Sequence, residues 1–215
     1  MNQNLKSKLE ERKAAFALKA DDNTRRAYSQ GIDEVRVSGI TTSAKQVGDV
    51  APNFNLNNAK SESVSLSDVL KEGPVIVNWY RGGWCPYCNM TLQALQQELP
   101  HYKSFGAQLI AITPELPDNS LTTREKNELE FEVLSDIGNQ VAKKYGIVFK
   151  LNDEVAGMYN KAFALNDHNG DLSNELPLAA TYLIDQAGVI QYAFLDHDYR
   201  NRPEPSEITQ ILRSL

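Results

Sequence analysis

Two cysteines separated by two residues, Cys85 and Cys88, are the side chains of this sequence best suited to chemistry, and the 215-residue chain contains no others. Residues 74–80 before them are mostly apolar and β-branched or aromatic, which predicts a buried strand. Gly82 and Gly83 end that strand. The helix predicted to follow has one apolar stripe, formed at spacings of four, three and four residues by Cys88, Leu92, Leu95 and Leu99.

A dithiol at the start of a helix is suited to redox chemistry, because unpaired backbone N–H groups and the helix dipole stabilise the thiolate. The alternative is a structural pair or half of a zinc site. Zinc normally needs four ligands, and none of the three histidines, His101, His168 and His197, lies at a zinc-finger spacing. The position after a buried strand and before an amphipathic helix favours a redox-active dithiol that requires no flavin, haem or metal.

The composition is typical of a soluble globular protein, with 41% hydrophobic and 23% charged residues. The net charge of −6 and the scattered basic residues argue against a nucleic-acid surface. No apolar run is long enough to cross a bilayer, and the first residues lack the apolar core of a secretory signal. We therefore expect a cytoplasmic protein with no membrane partner. In that compartment a dithiol is more often catalytic or redox-sensing than structural.

The chain divides into an N-terminal helical extension, residues 1–46, and a domain over residues 47–215. An amphipathic helix is predicted over residues 3–20, and residues 21–46 are polar and indefinite, with no more than a second short helix before Gly39. We expect the extension to pack on its own domain, with a partner subunit of a homodimer as the alternative.

Strands alternate with helices along the rest of the domain, which predicts a mixed α/β sheet covered on both faces. A turn is expected at residues 167–171, with His168 exposed to solvent. Gln186-Ala187-Gly188 is expected to join two strands in a hairpin before a final helix. The predicted strands are 106–113, 131–134, 148–151, 179–185 and 189–194, and the predicted helices are 119–129, 139–145, 156–165 and one that starts at residue 203.

Several segments resemble the peroxiredoxins, and more narrowly the peroxiredoxin-like branch of the alkyl hydroperoxide reductase and thiol-specific antioxidant family. The resemblance covers roughly residues 47–210. Its motifs are Val47-Gly48-Asp49, Ala51-Pro52-Asn53-Phe54, Tyr80-Arg81-Gly82-Gly83-Trp84-Cys85-Pro86-Tyr87-Cys88, Tyr145-Gly146-Ile147, Asn169-Gly170-Asp171, Glu175-Leu176-Pro177, Thr181-Tyr182-Leu183-Ile184-Asp185 and Asp198-Tyr199-Arg200-Asn201-Arg202-Pro203-Glu204-Pro205. The resemblance implies a thioredoxin fold. It also implies reduction of hydroperoxides through a cysteine sulfenic acid and regeneration by a thioredoxin-like donor.

The sequence departs from the family pattern at three places. Aligning the family's P-x-x-x-T-x-x-C on Cys88 puts Arg81 at the proline and Cys85 at the threonine, whose hydroxyl orients the peroxide. A thiol is a much weaker hydrogen-bonding group than that hydroxyl. The family's second arginine falls near Ala179, where the cis-proline of thioredoxins is also absent.

In a peroxidase, one cysteine becomes a sulfenic acid and the other condenses with it to an intramolecular disulfide. The family alignment favours Cys88 for the attack, whereas the helix stripe favours Cys85, which is expected nearer the mouth of the helix. Arg81 is either a cation that lowers a thiol pKa or a solvent-facing loop residue. We expect a substrate pocket formed by Trp84, Pro86 and Tyr87.

Two other functions remain open from the sequence. The intact Cys-x-x-Cys and the missing threonine and arginine are also consistent with a thiol–disulfide oxidoreductase that acts on protein disulfides. A redox-sensing module without turnover needs only a reversible disulfide. No chemical role follows from the sequence of residues 196–202.

Overall fold

The computed structural model describes residues 4–215. Within that range the helices are α1 Leu5–Lys19, α2 Asp22–Val37, α3 Ile40–Ser43, α4 Leu66–Val69, α5 Pro86–Ser104, α6 Pro117–Lys126, α7 Gln140–Tyr145, α8 Asp153–Phe163, α9 Leu165–Asn169 and α10 Pro205–Leu212. The strands are β1 Asn55–Asn58, β2 Ser63–Ser65, β3 Val75–Trp79, β4 Gln108–Thr113, β5 Glu132–Ser135, β6 Val148–Lys150, β7 Glu175–Pro177, β8 Thr181–Ile184 and β9 Ile190–Phe194. A short 3-10 helix, Ile137–Asn139, precedes α7.

Seven strands form one mixed sheet in the order β2-β1-β5-β4-β3-β8-β9. The strand that leads to the cysteines, β3, is parallel to β4 and antiparallel to β8. The predicted hairpin is confirmed, because β8 and β9 pair antiparallel after a turn at Gly188. The remaining strands, β6 and β7, form a separate two-stranded ribbon.

Both faces of the sheet are covered, as the alternation of strands and helices predicts. Every residue of β3 is buried. Val77 and Trp79 pack in a core on one face with Tyr145 of α7, whereas Ile76 packs in a second core with Leu95 of α5. Each fully buried aliphatic or aromatic side chain contributes about 1.5–3 kcal/mol of transfer free energy. The central strand is therefore a rigid support for the residues that follow it.

The N-terminal extension packs on its own chain. Leu5 and Leu9 of α1 are buried in the core that contains α5 and α10. The segment at 21–46 is more ordered than expected, because the short helix allowed before Gly39 is the 16-residue α2. Its first turn is capped by Asp21, whose carboxylate accepts the Thr24 N–H at 2.8 Å. Its apolar side packs on α8, a long-range contact that the mostly polar sequence does not indicate.

The predicted turn at residues 167–171 is also wrong over most of its length. Residues up to Asn169 form α9, and Gly170 closes this helix at φ 69°. The His168 side chain is 31% exposed, and its Nδ1 lies 3.0 Å from Oε1 of the buried Glu115. Asn, Asp and Gly are common in turns and equally common at the ends of short helices, so the local pattern does not separate the two.

Of the helices in residues 4–215, none combines the length and the apolar character needed to cross a membrane.

Candidate active site

The two cysteines lie where β3 passes into α5. Cys85 is the N-cap residue of α5, and Pro86 occupies the first turn, where its missing N–H costs no hydrogen bond. The end of β3 is held in the sheet on both sides, by hydrogen bonds from Trp79 N–H to Ala180 C=O at 2.8 Å and from Tyr80 N–H to Ile112 C=O at 2.9 Å. A central strand and a helix N-terminus therefore fix both sulfur atoms.

Both cysteines are free thiols and both are buried, at 1% exposure for Cys85 and 0% for Cys88. Cys85 lies nearer the mouth of the helix, as expected, but that position does not expose it. The cause is the cover of aromatic side chains over the start of α5, which no local pattern in the sequence reveals. Exposure therefore does not distinguish the two sulfurs, and their electrostatic surroundings do.

The glycines between Arg81 and Cys85 are required by close contacts. A Cβ atom on Gly82 would lie 2.1 Å from Trp84 Nε1, and one on Gly83 would lie 2.0 Å from Thr123 Oγ1. The Gly83 N–H donates a 2.9 Å hydrogen bond to Glu115 Oε2. The loop is thus packed directly against the segments that follow β4.

Replacing Gly83 with Ala is expected to destabilise the protein by about 1–3 kcal/mol, because the new methyl group overlaps the buried Thr123 side chain. Thermal or urea unfolding measures the change. The matched control is Gly157→Ala in α8, where a Cβ would meet no atom within 4 Å and helix propensity predicts an unchanged or slightly higher stability. Equal stability of Gly83→Ala and the natural protein would contradict the close packing of the loop.

Arg81 is buried, at 1% exposure, so its interpretation as a solvent-facing loop residue is wrong. Its guanidinium carbon lies 3.9 Å from the centre of the Tyr199 ring and 5.0 Å from those of Trp84 and Tyr159. Cation–π contacts of this kind hold a desolvated guanidinium without a carboxylate partner. Among residues 4–215, its Nε and Nη2 have no hydrogen-bond partner.

A second arginine contacts the cysteines. Arg202, 8% exposed, directs Nη2 to Cys88 Sγ at 3.5 Å, while its Nη1 donates to the carbonyl groups of Tyr199 and Asn201. Sequence reasoning missed this residue, and it missed Tyr199 and Tyr159 as well. The one available signal was the resemblance of residues 198–205 to the family branch. Where the family's second arginine was expected, the buried Ala179 and Ala180 supply no cation.

The loop that carries Arg202 is braced internally and from α1. Asp198 accepts two 2.8 Å hydrogen bonds from the Arg200 guanidinium, and Asn201 Nδ2 donates to Asp196 Oδ2 at 2.9 Å. From α1, Lys13 Nζ donates to Asn201 Oδ1 at 2.6 Å. The carboxylate of Glu204 accepts the first free N–H groups of α1, those of Leu5 and Lys6. The N-terminal helix therefore helps to position the arginine at the cysteines.

The surroundings of the two sulfurs drive their acidities in opposite directions. Burial opposes ionisation of Cys88, but the hydrogen bond from Cys85 and the charges of Arg202 and Arg81 outweigh it and lower the pKa of Cys88 to about 5. Burial, together with the hydrogen bond to Cys88, raises the pKa of Cys85 well above its ordinary value. These opposite directions favour Cys88 as the thiolate of the pair and Cys85 as the thiol that donates to it.

Aromatic side chains enclose the dithiol. Trp84 stacks on Phe163 of α8 at 5.3 Å, and the buried Tyr87 meets Tyr199 edge-on at 5.8 Å. The substrate pocket expected from Trp84, Pro86 and Tyr87 stays a prediction, and none of the three lines the cleft that reaches this site. A narrow, mostly apolar cleft between α2, α8 and the loop after β9 leads to Arg81. Its lining includes Tyr28, Ile32, Val155 and His197.

Residues 47–193, more than half of the chain, match the AhpC/TSA family. The chain belongs to this family. It is a peroxiredoxin, and the enzyme class of the family is thiol peroxidase. The chain is 30% identical over 202 residues to "Peroxiredoxin Q, chloroplastic" of Triticum aestivum, a match that covers 94% of this chain and 78% of that protein. It is also 36% identical over 100 residues to "Putative peroxiredoxin bcp" of Buchnera aphidicola, a match that covers 46% of this chain and 63% of that protein.

The thioredoxin-like fold expected from the resemblance is confirmed. The structure resembles that of peroxidoxin BcpB from Mycobacterium tuberculosis with a TM-score of 0.63 at 18% identity, over 79% of this chain and 97% of that one. In residues 4–215 no group of three or more His, Cys, Asp or Glu side chains is placed to hold a metal ion.

Proposed function

We propose that this peroxiredoxin reduces hydroperoxides with Cys88 as the attacking thiolate and Cys85 as the resolving thiol. The observation that carries the proposal is the guanidinium of Arg202 at 3.5 Å from Cys88 Sγ in a site closed to water. Arg81 adds a second positive charge on the same sulfur. A low pKa makes the thiolate the predominant form at neutral pH, and the thiolate is the nucleophile.

The two arginines also compensate for the threonine that the family pattern has at Cys85. A peroxide needs hydrogen-bond donors at both oxygens, and the donors that matter most face the oxygen on which negative charge develops. Arg81 has two buried N–H-bearing atoms without a partner among residues 4–215. Buried donors without a partner are rare, and they indicate a position where a ligand accepts hydrogen bonds.

The proposed reaction balances with the two thiols alone. The Cys88 sulfur attacks one peroxide oxygen, an S–O bond forms, the O–O bond breaks, and the alkoxide or hydroxide that leaves takes up a proton. The sulfur of Cys85 then attacks the sulfenic acid, and the hydroxyl group leaves as water with the proton of Cys85. A thioredoxin-like dithiol donor reduces the resulting disulfide by exchange.

The alternative, exchange with protein disulfides, is favoured by the intact Cys-x-x-Cys. The burial of both sulfurs in the reduced protein argues against it, because a protein disulfide must reach the attacking thiolate directly. Recycling by a thioredoxin-like donor requires in turn that the oxidised protein expose one sulfur of its disulfide. A peroxide is far smaller than a polypeptide, and the cleft that reaches Arg81 is narrow.

The test is a stopped-flow titration of the reduced protein with hydrogen peroxide, followed by tryptophan fluorescence, beside an insulin-reduction assay. We expect oxidation about 10³-fold or more faster than that of free cysteine at the same pH, because the thiolate fraction rises and arginine stabilises the departing oxygen. Insulin should be reduced no faster than by free dithiol. A peroxide rate equal to that of a free thiol, with rapid insulin reduction, would support the alternative.

A further inference from the structure

Tyr199 contacts both arginines of the site, each through a different part of the residue. It lies in the loop after β9, in a segment for which the sequence alone gives no chemical role. The centre of its ring lies 3.9 Å from the guanidinium carbon of Arg81. Its backbone carbonyl accepts a hydrogen bond from Nη1 of Arg202, and Nη2 of the same guanidinium lies 3.5 Å from Cys88 Sγ. Tyr199 therefore joins the two cations of the site.

The Tyr199 ring is the nearest of three rings around the Arg81 guanidinium. The ring centres of Trp84 and Tyr159 lie 5.0 Å from the guanidinium carbon, compared with 3.9 Å for Tyr199. Arg81 is 1% exposed, so water does not screen this attraction, and a desolvated cation is held more strongly by a ring than an exposed one. The ring of Tyr199 therefore bears directly on where the guanidinium lies.

Support by rings leaves the hydrogen-bond donors of Arg81 free. Within the described part of the chain, Nε and Nη2 of this arginine have no hydrogen-bond partner although both are buried. A carboxylate partner would accept these N–H groups in its usual two-bond geometry and would compete with a peroxide for them. An aromatic ring attracts the charge without offering lone pairs to the donors. Aromatic support thus suits an arginine that must donate to a substrate.

Tyr199 is itself held in place. Its ring meets that of Tyr87 in the first turn of α5 edge-on at 5.8 Å. On either side of it in the loop, the Asp198 carboxylate accepts the Arg200 backbone N–H at 3.0 Å and two guanidinium hydrogen bonds at 2.8 Å. Because the ring and the carbonyl of Tyr199 belong to one fixed residue, the loop places both arginines together.

We propose that Tyr199 is a positioning residue for peroxide reduction. Its ring holds the Arg81 guanidinium with two N–H groups free for the peroxide, while its carbonyl fixes Arg202 at Cys88. The inference rests on the proposed peroxidase function. The phenol hydroxyl has no part in it, and Tyr199 neither gains nor loses a proton or an electron.

The first test is Tyr199→Leu, which removes the ring and keeps the backbone carbonyl that binds Arg202. In stopped-flow oxidation by hydrogen peroxide, well above the pKa of Cys88, we expect the rate to fall about 10-fold, since Arg81 no longer stabilises the departing oxygen fully. Tyr199→Phe should keep most of the natural rate, because a phenyl ring also attracts cations.

The matched control is Tyr192→Leu in β9. Tyr192 packs against the core that contains the cysteines, and the arginine–ring contacts of residues 4–215 do not include it. Its loss removes a similar amount of aromatic packing without touching Arg81, so the peroxide rate should not change.

A double-mutant cycle separates positioning from a general structural role. Arg81→Met, Tyr199→Leu and the double variant are compared with the natural protein in the same assay. If the ring acts through the guanidinium, Tyr199→Leu should slow the Arg81→Met protein by less than about twofold. A purely structural loss would instead slow both backgrounds by the same factor.

A second set of variants keeps the shape of the side chain. Phenylalanine analogues with an increasing number of ring fluorine atoms at position 199 weaken the attraction for a cation and hardly change the packing. The rate should fall stepwise along this series and stay constant along it in the Arg81→Met background. Far-UV circular dichroism establishes that each variant is folded.

Three results would overturn the positioning role while leaving the peroxidase function intact. They are a natural rate in Tyr199→Leu, an equal loss with and without Arg81, and a constant rate along the fluorinated series. A natural protein that oxidises no faster than free cysteine would instead refute the proposed function, and this inference with it.

Discussion

Replacing Cys88 with Ser is expected to abolish fast oxidation by hydrogen peroxide, whereas Cys85→Ser keeps the first oxidation and stops at the sulfenic acid. The reason is the opposite acidity of the two sulfurs, since Cys88 has a pKa of about 5 and that of Cys85 is raised. Removal of a catalytic nucleophile costs at least about 10³-fold in rate. Serine is the right replacement at position 85, because its hydroxyl still donates a hydrogen bond to the Cys88 thiolate.

Stopped-flow kinetics and intact mass spectrometry with a sulfenic-acid trap measure both variants. The Cys85→Ser protein should gain one oxygen atom per chain and react with the trap, and it should not turn over with a dithiol donor that recycles the natural protein. The reverse pattern, with a stable sulfenic acid in Cys88→Ser, would assign the attack to Cys85. That result would also mean that the arginines do not select the reactive sulfur.

The main architecture could be predicted because its signals are local. The apolar run of β3, the stripe of α5 and the hairpin at Gly188 each follow from residues a few positions apart. The full length of α2 could not be predicted, because most of its residues are polar and its apolar side packs on α8, about 130 residues later in the chain. Here a tertiary contact overrides a weak local pattern.

Of the candidate site, only the local features could be predicted from the sequence. The dithiol and its helix are local features, and so is Arg81. Arg202 lies 114 residues from Cys88 in the sequence, and His168 lies 53 residues from Glu115, so periodicity carries no information about either contact. Sequence patterns likewise do not predict that an arginine without a carboxylate partner is buried, because charged residues are usually exposed.

Replacing Arg202 with Met is expected to raise the pKa of Cys88 from about 5 towards that of a free thiol. The nearest positive charge on the sulfur is then lost, while a side chain of similar length still fills the space. A free thiol pKa near 8.5 would leave about 3% thiolate at pH 7, so the oxidation rate should fall about 30-fold from this cause alone. The thiolate absorbance near 240 nm, titrated in the Cys85→Ser background, measures the pKa directly.

The pH dependence separates this effect from a second role of Arg202 in peroxide reduction. At a pH well above the raised pKa, Cys88 is ionised in both proteins. A rate difference that persists there measures the lost stabilisation of the departing oxygen. We expect the loss of one charged donor to lower the rate about 10- to 100-fold. Arg202→Lys should keep much of the low pKa and lose more of the second effect, since a single ammonium cannot reproduce the planar guanidinium.

The matched control is Arg200→Met, because Arg200 is in the same loop and pairs with Asp198, without contact to Cys88. It should shift the Cys88 pKa and the peroxide rate much less than Arg202→Met does, because it loosens the loop without removing the guanidinium at the sulfur. If Arg200→Met shifted the pKa of Cys88 as much as Arg202→Met, that pKa would depend on the ordering of the whole loop and not on the single guanidinium of Arg202. If neither variant shifted it, the acidity of Cys88 would arise from Arg81 and the start of α5.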